Sequence, residues 1–347
     1  MALEDNTTVA SLREHLHRPQ LAARIAGFFA QPFPWVVIAV TALFVALPLW
    51  GSNVQLRESL LLAAVYITLA SNLNLMIGYA GYVNFGNIVF FGLGGYLCVF
   101  FVSALSFPLA VAALAAGLLV SALALLFGLG ILGLRGAFFA LATIGINEAV
   151  KAFITNFEPW GGASGIYMPL DVFAELGGPA TALWIVYFLL VAVMAASLFL
   201  SYAIKISKFG MGLLAIGQNE DAAAVLGVPT RLYKSLAYGV SAFLPAMAGG
   251  LYYFKSAFIE PGSAFDLTFS IEAIVMVMLG GHGTVTGPAL GAFLYEELRG
   301  ALLTSDTFSH FQLVIAGAVL LLIVLFAPSG LMGLIYRLAP RLRKILP

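Results

Sequence analysis

The sequence predicts an all-α integral membrane protein of about ten transmembrane or partly spanning helices, and three observations predict it. Of 347 residues, 62% are hydrophobic and only 9% charged, against roughly 25% charged in a soluble domain. Apolar runs recur along the whole chain between short polar stretches, many near the ~20 residues a helix needs to cross a bilayer. Glycine occurs 36 times, which in an apolar chain points to close helix contacts and broken helices rather than disorder.

The same composition excludes several functions. A formal net charge of zero argues against nucleic acid as a partner, because phosphate binding needs clustered Lys and Arg on one face. The single cysteine, Cys98, lies in an apolar run and reads as a small packing residue. There is no GxxxxGK[ST] phosphate loop, no HExxH and no Cys or His cluster with metal spacing. Neither a metal nor another cofactor is expected. No nucleophile, base and orienting residue can be read off together, so the chain is not expected to be an enzyme. If ATP drives it, the ATPase is on another chain.

Residues 1–31 carry Arg13, Arg18 and Arg24 ahead of the first apolar run. They read as a cytosolic tail, with a possible interfacial helix in QLAARIAGFFA. Apolar runs follow at 33–50, 57–78, 83–105, 108–132, 137–157, 181–204, 232–254, 267–281, 286–303 and 309–328. The runs 267–281 and 286–303 are short for a full crossing and read as half-helices or re-entrant segments. Basic residues concentrate in three places: three in the N-terminal tail, four within 204–234, and four in the terminal stretch from Arg337 to Lys344. The excess of Lys and Arg places all three in the cytosol. Residues 158–180 hold Glu158, Asp171 and Glu175 without a basic residue, which places that loop outside. There Trp160 and Tyr167 serve either to dock an external protein or as interfacial anchors.

The longest polar interruption is Ser207–Lys234. Asn219 can cap a short helix, Glu220 and Asp221 sit in its first turn where the helix dipole favours negative charge, and Gly227 with Pro229 closes it. At ~1.5 Å per residue such a helix spans only ~10 Å. It cannot cross the membrane, and Ala222, Ala223 and Ala224 would let it seat closely in a groove of another protein.

Three stretches could carry transport chemistry. In SNLNLMIGYAGYVNFGN, residues 71–87, Asn72, Asn74, Asn84 and Asn87 interrupt apolar sequence around Gly78, Gly81 and Gly86. Such a segment is tolerated in a membrane only against protein or a watery path, so a discontinuous helix is expected, or a glycine-rich turn with capping asparagines. TIGINEAVK, residues 143–151, places Asn147 and Glu148 in an apolar run. Glu148 is expected to face the bundle interior and to pair with Lys151 one turn on. In GGHGTVTGPALGAFLYEE, residues 280–297, Gly283, Gly287 and Gly291 form two GxxxG steps for helix packing. Glu272, alone in its apolar run, is a further candidate pathway residue.

Together, LNLMIGYAGYVNFGNIVFFGLGGY (73–96), LRGAFFALATIGINEAVK (134–151), SKFGMGLLAIGQNEDAAAVLG (207–227), SIEAIVMVMLGGHGTVTGPALGA (270–292) and APSGLMG (327–333) are specific. The chain resembles the LivM-type branch of the permease family of bacterial ABC importers for branched-chain amino acids. Asp221, Ala222, Ala223 and Gly227 are similar to that family's EAA-type coupling motif, with Asp in place of Glu. Leu244 and Pro245 fall too far along to match its Leu-Pro. The resemblance implies that 207–231 is a cytosolic loop carrying an ATPase-coupling helix, with Glu220, Asp221, Ala222, Ala223 and Gly227 as the coupling residues. It implies a permease domain over 32–334, a periplasmic loop at 158–180 and a basic cytosolic tail at 335–347. It also implies a multi-pass place in the bacterial inner membrane with both termini cytosolic. The implied partners are a second permease subunit, two ATPase subunits, a periplasmic substrate-binding protein and the lipid bilayer. The small-molecule substrate is a branched-chain or related amino acid, with Asn84, Asn87, Asn147, Glu148 and Glu272 as pathway candidates. Two rivals remain: a urea or amide permease of the same family, and an ion-coupled secondary transporter with Glu148 or Glu272 carrying the proton. ATP-independent uptake that needs a membrane potential would favour the latter.

Overall fold

The computed structural model describes residues 31–50, 54–303 and 329–340, with 314, 317, 318, 321, 342 and 346 as isolated positions. The expected interfacial helix and most of the run 309–328 lie outside the described residues. So do Arg341, Arg343 and Lys344 of the basic tail.

The described chain is a bundle of helices: Pro32–Trp50, Val54–Asn74, Asn87–Leu105, Leu109–Ile131, Ala137–Thr155, Pro179–Lys205, Thr230–Ser256, Leu267–Gly280 and Thr286–Leu303, with shorter helices between and after them. Seven segments among the described residues are long and apolar enough to cross a membrane by length and composition. One of them corrects the reading of 267–281 as too short: a turn at Pro261–Ala264 extends it, and Pro261–Gly280 reaches 20 residues. The protein is an all-α membrane protein. Among the described residues its strands are Ile166–Tyr167 and Phe258–Ile259, an antiparallel pair at one end of the bundle.

Packing follows from small residues. Helix 230–256 crosses helix 87–105 where a side chain at Gly94 would meet the Ala246 carbonyl at 2.0 Å and one at Gly249 would meet the Phe91 carbonyl at 2.0 Å. Close backbone approach of this kind is how helices associate when lipid is as apolar as they are. Helix 54–74 runs through the centre, and nearly all its side chains from Leu60 to Asn74 are buried. Helix 137–155 lies at the edge, burying only Phe139, Thr143, Asn147 and Ile154.

Polar groups collect at both ends of the bundle. Arg135, Lys205, Arg231 and Lys234 gather at one end, tied together through Asp221, Glu220 and the carbonyls of Gly283 and Leu129. The opposite end carries the 158–180 loop. There Trp160 stacks on Tyr96 at 5.7 Å, half-buried on the bundle, whereas exposed Tyr167 stacks on Phe258 at 4.4 Å.

Candidate functional site

The polar interruption at 207–234 folds as two consecutive helices. Ser207 caps the first, Lys208–Gln218, accepting a hydrogen bond from the Gly210 N–H at 3.0 Å. Asn219 is extended, turns the chain, and caps the second, Glu220–Val225, by accepting from the Ala222 N–H at 3.0 Å. The far end closes with the Val228 N–H on the Ala223 carbonyl and the Gly227 N–H on the Ala224 carbonyl, both at 3.0 Å. Gly227 has φ +87°. That is the left-handed C′ residue of a Schellman motif, a conformation that Gly adopts at least cost. Ala223 seats inward and Ala222 is exposed. Beside them Val225 is 88% and Leu226 82% exposed, two apolar side chains presented at the polar end of the bundle.

The two acids of the first turn divide. Asp221 points outward and takes a bidentate pair from the exposed Arg135 guanidinium, at 2.8 and 3.1 Å. Hydrogen bonding to that guanidinium and its charge hold the Asp221 carboxyl below its ordinary range. Glu220 points inward, accepting from the Lys234 ammonium at 2.7 Å and from the Tyr82 hydroxyl at 2.5 Å, with Arg135 at 3.5 Å. Burial opposes its charge. The hydrogen bonds from Lys234 and Tyr82 and the charges of Lys234 and Arg135 outweigh burial, and its carboxyl lies below the usual range. Lys234 is only 1% exposed, so this is a charge that its partners must satisfy.

Tyr82 belongs to the break after the central helix. Helix 54–74 continues as a single π turn, Leu75–Tyr79, and residues 80–86 are irregular before Asn87–Leu105 begins. The expected discontinuous helix is therefore present, with Tyr82, Asn84 and Gly86 of the break buried against protein. Asn74 holds its near side, donating to the Thr284 carbonyl at 2.8 Å and accepting from the Gly283 N–H at 2.9 Å. Asn84 accepts from the Gly86 N–H at 2.9 Å. Asn84, Asn87 and Asn147 are all buried, and each has a side-chain polar atom without a hydrogen-bond partner. Asn147 also donates to the Phe265 carbonyl at 3.0 Å. The break meets helix 137–155 directly, the Phe85 N–H donating to the Thr143 hydroxyl at 3.2 Å.

Glu148 departs from expectation on both counts. It is exposed, one position round the helix from buried Asn147, and no ion pair joins it to Lys151 among the described residues. Its recorded bond is from the Asn147 amide at 3.4 Å. Only one stripe of this edge helix is buried, and Glu148 falls on the other, with Phe138, Leu141, Gly145 and Ala152.

Glu272 is not brought to these residues. Only 3% exposed, it accepts from the Tyr66 hydroxyl at 3.1 Å and faces Arg299 at 3.7 Å, which also pairs with Glu296 at 3.6 Å. Gly283 also differs from its reading as part of a helix ridge. It lies in the turn before helix 286–303, with φ +75°. Gly287 and Gly291 do pack helices: a side chain on Gly291 would meet the Met276 carbonyl at 2.0 Å.

The structure thus joins Glu220, Asp221, Ala222, Ala223 and Gly227 in one element, and sets Asn84, Asn87 and Asn147 around one break. Sequence reasoning missed Arg135, Lys234 and Tyr82, which hold the short helix, and Val225 and Leu226 beside it. The last two carried a signal, as the apolar pair of a short helix already placed outside the membrane.

Residues 55–324 match a family described as the permease component of the branched-chain amino acid transport system. The high-affinity branched-chain amino acid transport system permease protein LivM of Escherichia coli K12 is 26% identical over 319 residues, 85% of this chain and 74% of that protein. The corresponding LivH of the same organism is 24% identical over 303 residues, 80% of this chain and 94% of LivH. The ribose import permease RbsC of Haemophilus influenzae is 27% identical over 194 residues, 53% of this chain and 57% of RbsC. No solved structure matches the chain.

Proposed function

The chain belongs to the family of branched-chain amino acid transport system permease components, and from that membership we propose that it is the LivM-type half of the membrane pathway of an ATP-driven amino acid importer. The observation that carries the coupling assignment is the capped helix Glu220–Val225, with Val225 and Leu226 exposed at the basic end of the bundle. A helix of six residues gains little from burial in its own chain, and two exposed apolar side chains are the anchors a docking partner would cover. In this reading a pair of ATPase subunits docks there. The basic end faces the cytosol of a bacterial inner membrane, together with both termini. The 158–180 loop faces a periplasmic binding protein.

A second permease chain covers the open face of helix 137–155. A carboxylate on a spanning helix is costly against lipid, so Glu148 calls for a protein or aqueous neighbour. The pathway then runs between the two permease chains past Glu148, with Asn84, Asn87 and Asn147 behind it. Glu272, which has a counter-ion inside the chain, holds helices together instead. The substrate class rests on the LivM relative's reach over most of the chain, where the ribose relative covers about half.

Reconstitution with its partner subunits tests this. ATP-dependent uptake of radiolabelled L-leucine, competed by L-valine and L-isoleucine but not by urea or ribose, is expected, and V225E/L226E should abolish ATPase binding with normal membrane insertion. ATPase retained on that double variant would overturn the docking assignment. Uptake that ignores ATP and follows membrane potential would replace the importer with an ion-coupled carrier.

A further inference from the structure

Between the docking helix and helix 137–155 lies one short piece of chain, residues 80–86, and both helices are fastened to it. On the docking side the Tyr82 hydroxyl donates to Glu220 at 2.5 Å and accepts from Lys234 at 3.0 Å. Lys234 closes the triangle on Glu220 at 2.7 Å, and its ammonium lies 4.7 Å from the Tyr82 ring centre. The preceding helix, Lys208–Gln218, rests on the same segment by backbone. A side chain at Gly217 would meet the Tyr79 carbonyl at 2.4 Å, and one at Gly81 would meet the Gly217 Cα at 3.3 Å. On the other side the Tyr82 ring packs edge-on against Phe139 at 5.1 Å, and the Phe85 N–H donates to Thr143. A side chain at Gly86 would meet the Thr143 carbonyl at 2.6 Å. Thr143 is one turn from Asn147 and Glu148.

We infer that Lys234 and Tyr82 are positioning residues that lock Glu220 to the 80–86 segment, so that movement of the docking helix is passed to the pathway face of helix 137–155. The inference rests on the importer reading above and names its transmission. Charge explains why the link is stiff. Lys234 is buried and finds its compensation in Glu220 and Tyr82, so a docking helix that moved without them would strand an ammonium in a dry site. Arg135, two residues before helix 137–155, reaches Asp221 and Glu220 directly, but that guanidinium is exposed and its pairs are worth little. Pulling on the docking helix therefore moves Tyr82 before it breaks the triangle, and Tyr82 carries Phe139 and Thr143 with it. Such a link is a coupling free energy between two sites and has to be measured as one.

The test uses the assembled complex and a cysteine placed at Gly145, where a side chain meets nothing within 4 Å. The native Cys98 is buried, so a membrane-impermeant maleimide, with its incorporation read on this chain after the subunits are separated, reports on position 145. In the G145C background the labelling rate is expected to differ between nucleotide-free and ATP-bound complex. K234M should reduce that difference about tenfold, within the usual range of allosteric coupling, while the ATPase subunits still co-purify. K234R, which keeps the cation, should retain most of the response. Y82F removes only the bridging hydroxyl and should give an intermediate loss. It carries the test with the same readout should K234M fail to bind the ATPase. Full nucleotide response in K234M or Y82F would overturn the link, and equal losses in K234R and K234M would overturn the role assigned to charge. Labelling indifferent to nucleotide in the G145C background itself, with ATP still hydrolysed, would instead remove the pathway reading on which the inference stands.

Discussion

Helices 137–155 and 267–280 each carry a lone glutamate among apolar residues, yet the two carboxylates end in opposite surroundings. Glu272 is enclosed by Tyr66 and Arg299, with Glu296 on the far side of the same guanidinium. Glu148 faces away from the chain and has no cationic partner in it among the described residues. The difference lies in the helices that carry them. Helix 267–280 is clasped by helix 286–303 through Gly287 and Gly291 and by the central helix 54–74, whereas helix 137–155 offers the bundle one stripe. A carboxylate on a clasped helix must be satisfied within the chain. One on an open helix awaits a neighbour, so substitution of Glu272 is expected to act on stability and substitution of Glu148 on assembly or transport.

The largest effect should come from Arg299→Met, which strands two buried carboxylates. A loss of about 3–5 kcal/mol is expected, read as a fall in thermal stability of the purified chain. Adding Glu272→Gln to that variant should recover part of the loss, because the double change removes one stranded charge. A strictly additive result would show that the two side chains do not interact. Glu148→Gln should leave the stability of the isolated chain within about 0.5 kcal/mol, as for an exposed substitution. It should lower co-purification of a second permease chain or solute uptake, and a large stability loss without either effect would move Glu148 into the same class as Glu272.

The smallest effect separates both from Glu220, which is paired but lies outside the spans. Its folded carboxyl titrates below the ordinary value of 4.5, so the unfolded state binds more protons as pH falls. The stabilisation is fully present above the unfolded value and is lost as pH drops through the folded one. Hydrogen-exchange protection of 219–228 is thus expected to be flat through neutral pH and to fall only in acid, and Glu220→Gln should flatten that acid limb.

The short helix Glu220–Val225 was legible because its signals are local. Asn219, Glu220, Asp221 and Gly227 act on backbone groups within a few residues of themselves, so chain order alone places the cap, the first-turn charges and the left-handed stop. The break at 80–86 was legible for a related reason, since clustered Asn and Gly cannot face lipid wherever the rest of the chain goes. The partners of those elements were not. Tyr82 and Glu220 are 138 positions apart, Arg135 and Asp221 are 86, and Tyr66 and Glu272 are 206. Nothing in the spacing of one member points to the other. Glu148 shows the same limit from its own neighbourhood: i,i+3 spacing to Lys151 permits a pair, and the structure does not form it.

Composition and local backbone chemistry were thus enough for an all-α membrane chain, its polar end and its short capped helix, because burial of apolar surface and hydrogen bonding of neighbouring backbone groups need no knowledge of distant residues. Which face of each helix is covered depends on how helices pack across the bundle. That packing made Glu272 internal, left Glu148 open, and brought buried Lys234 and Tyr82 together with half-buried Glu220 in one triangle.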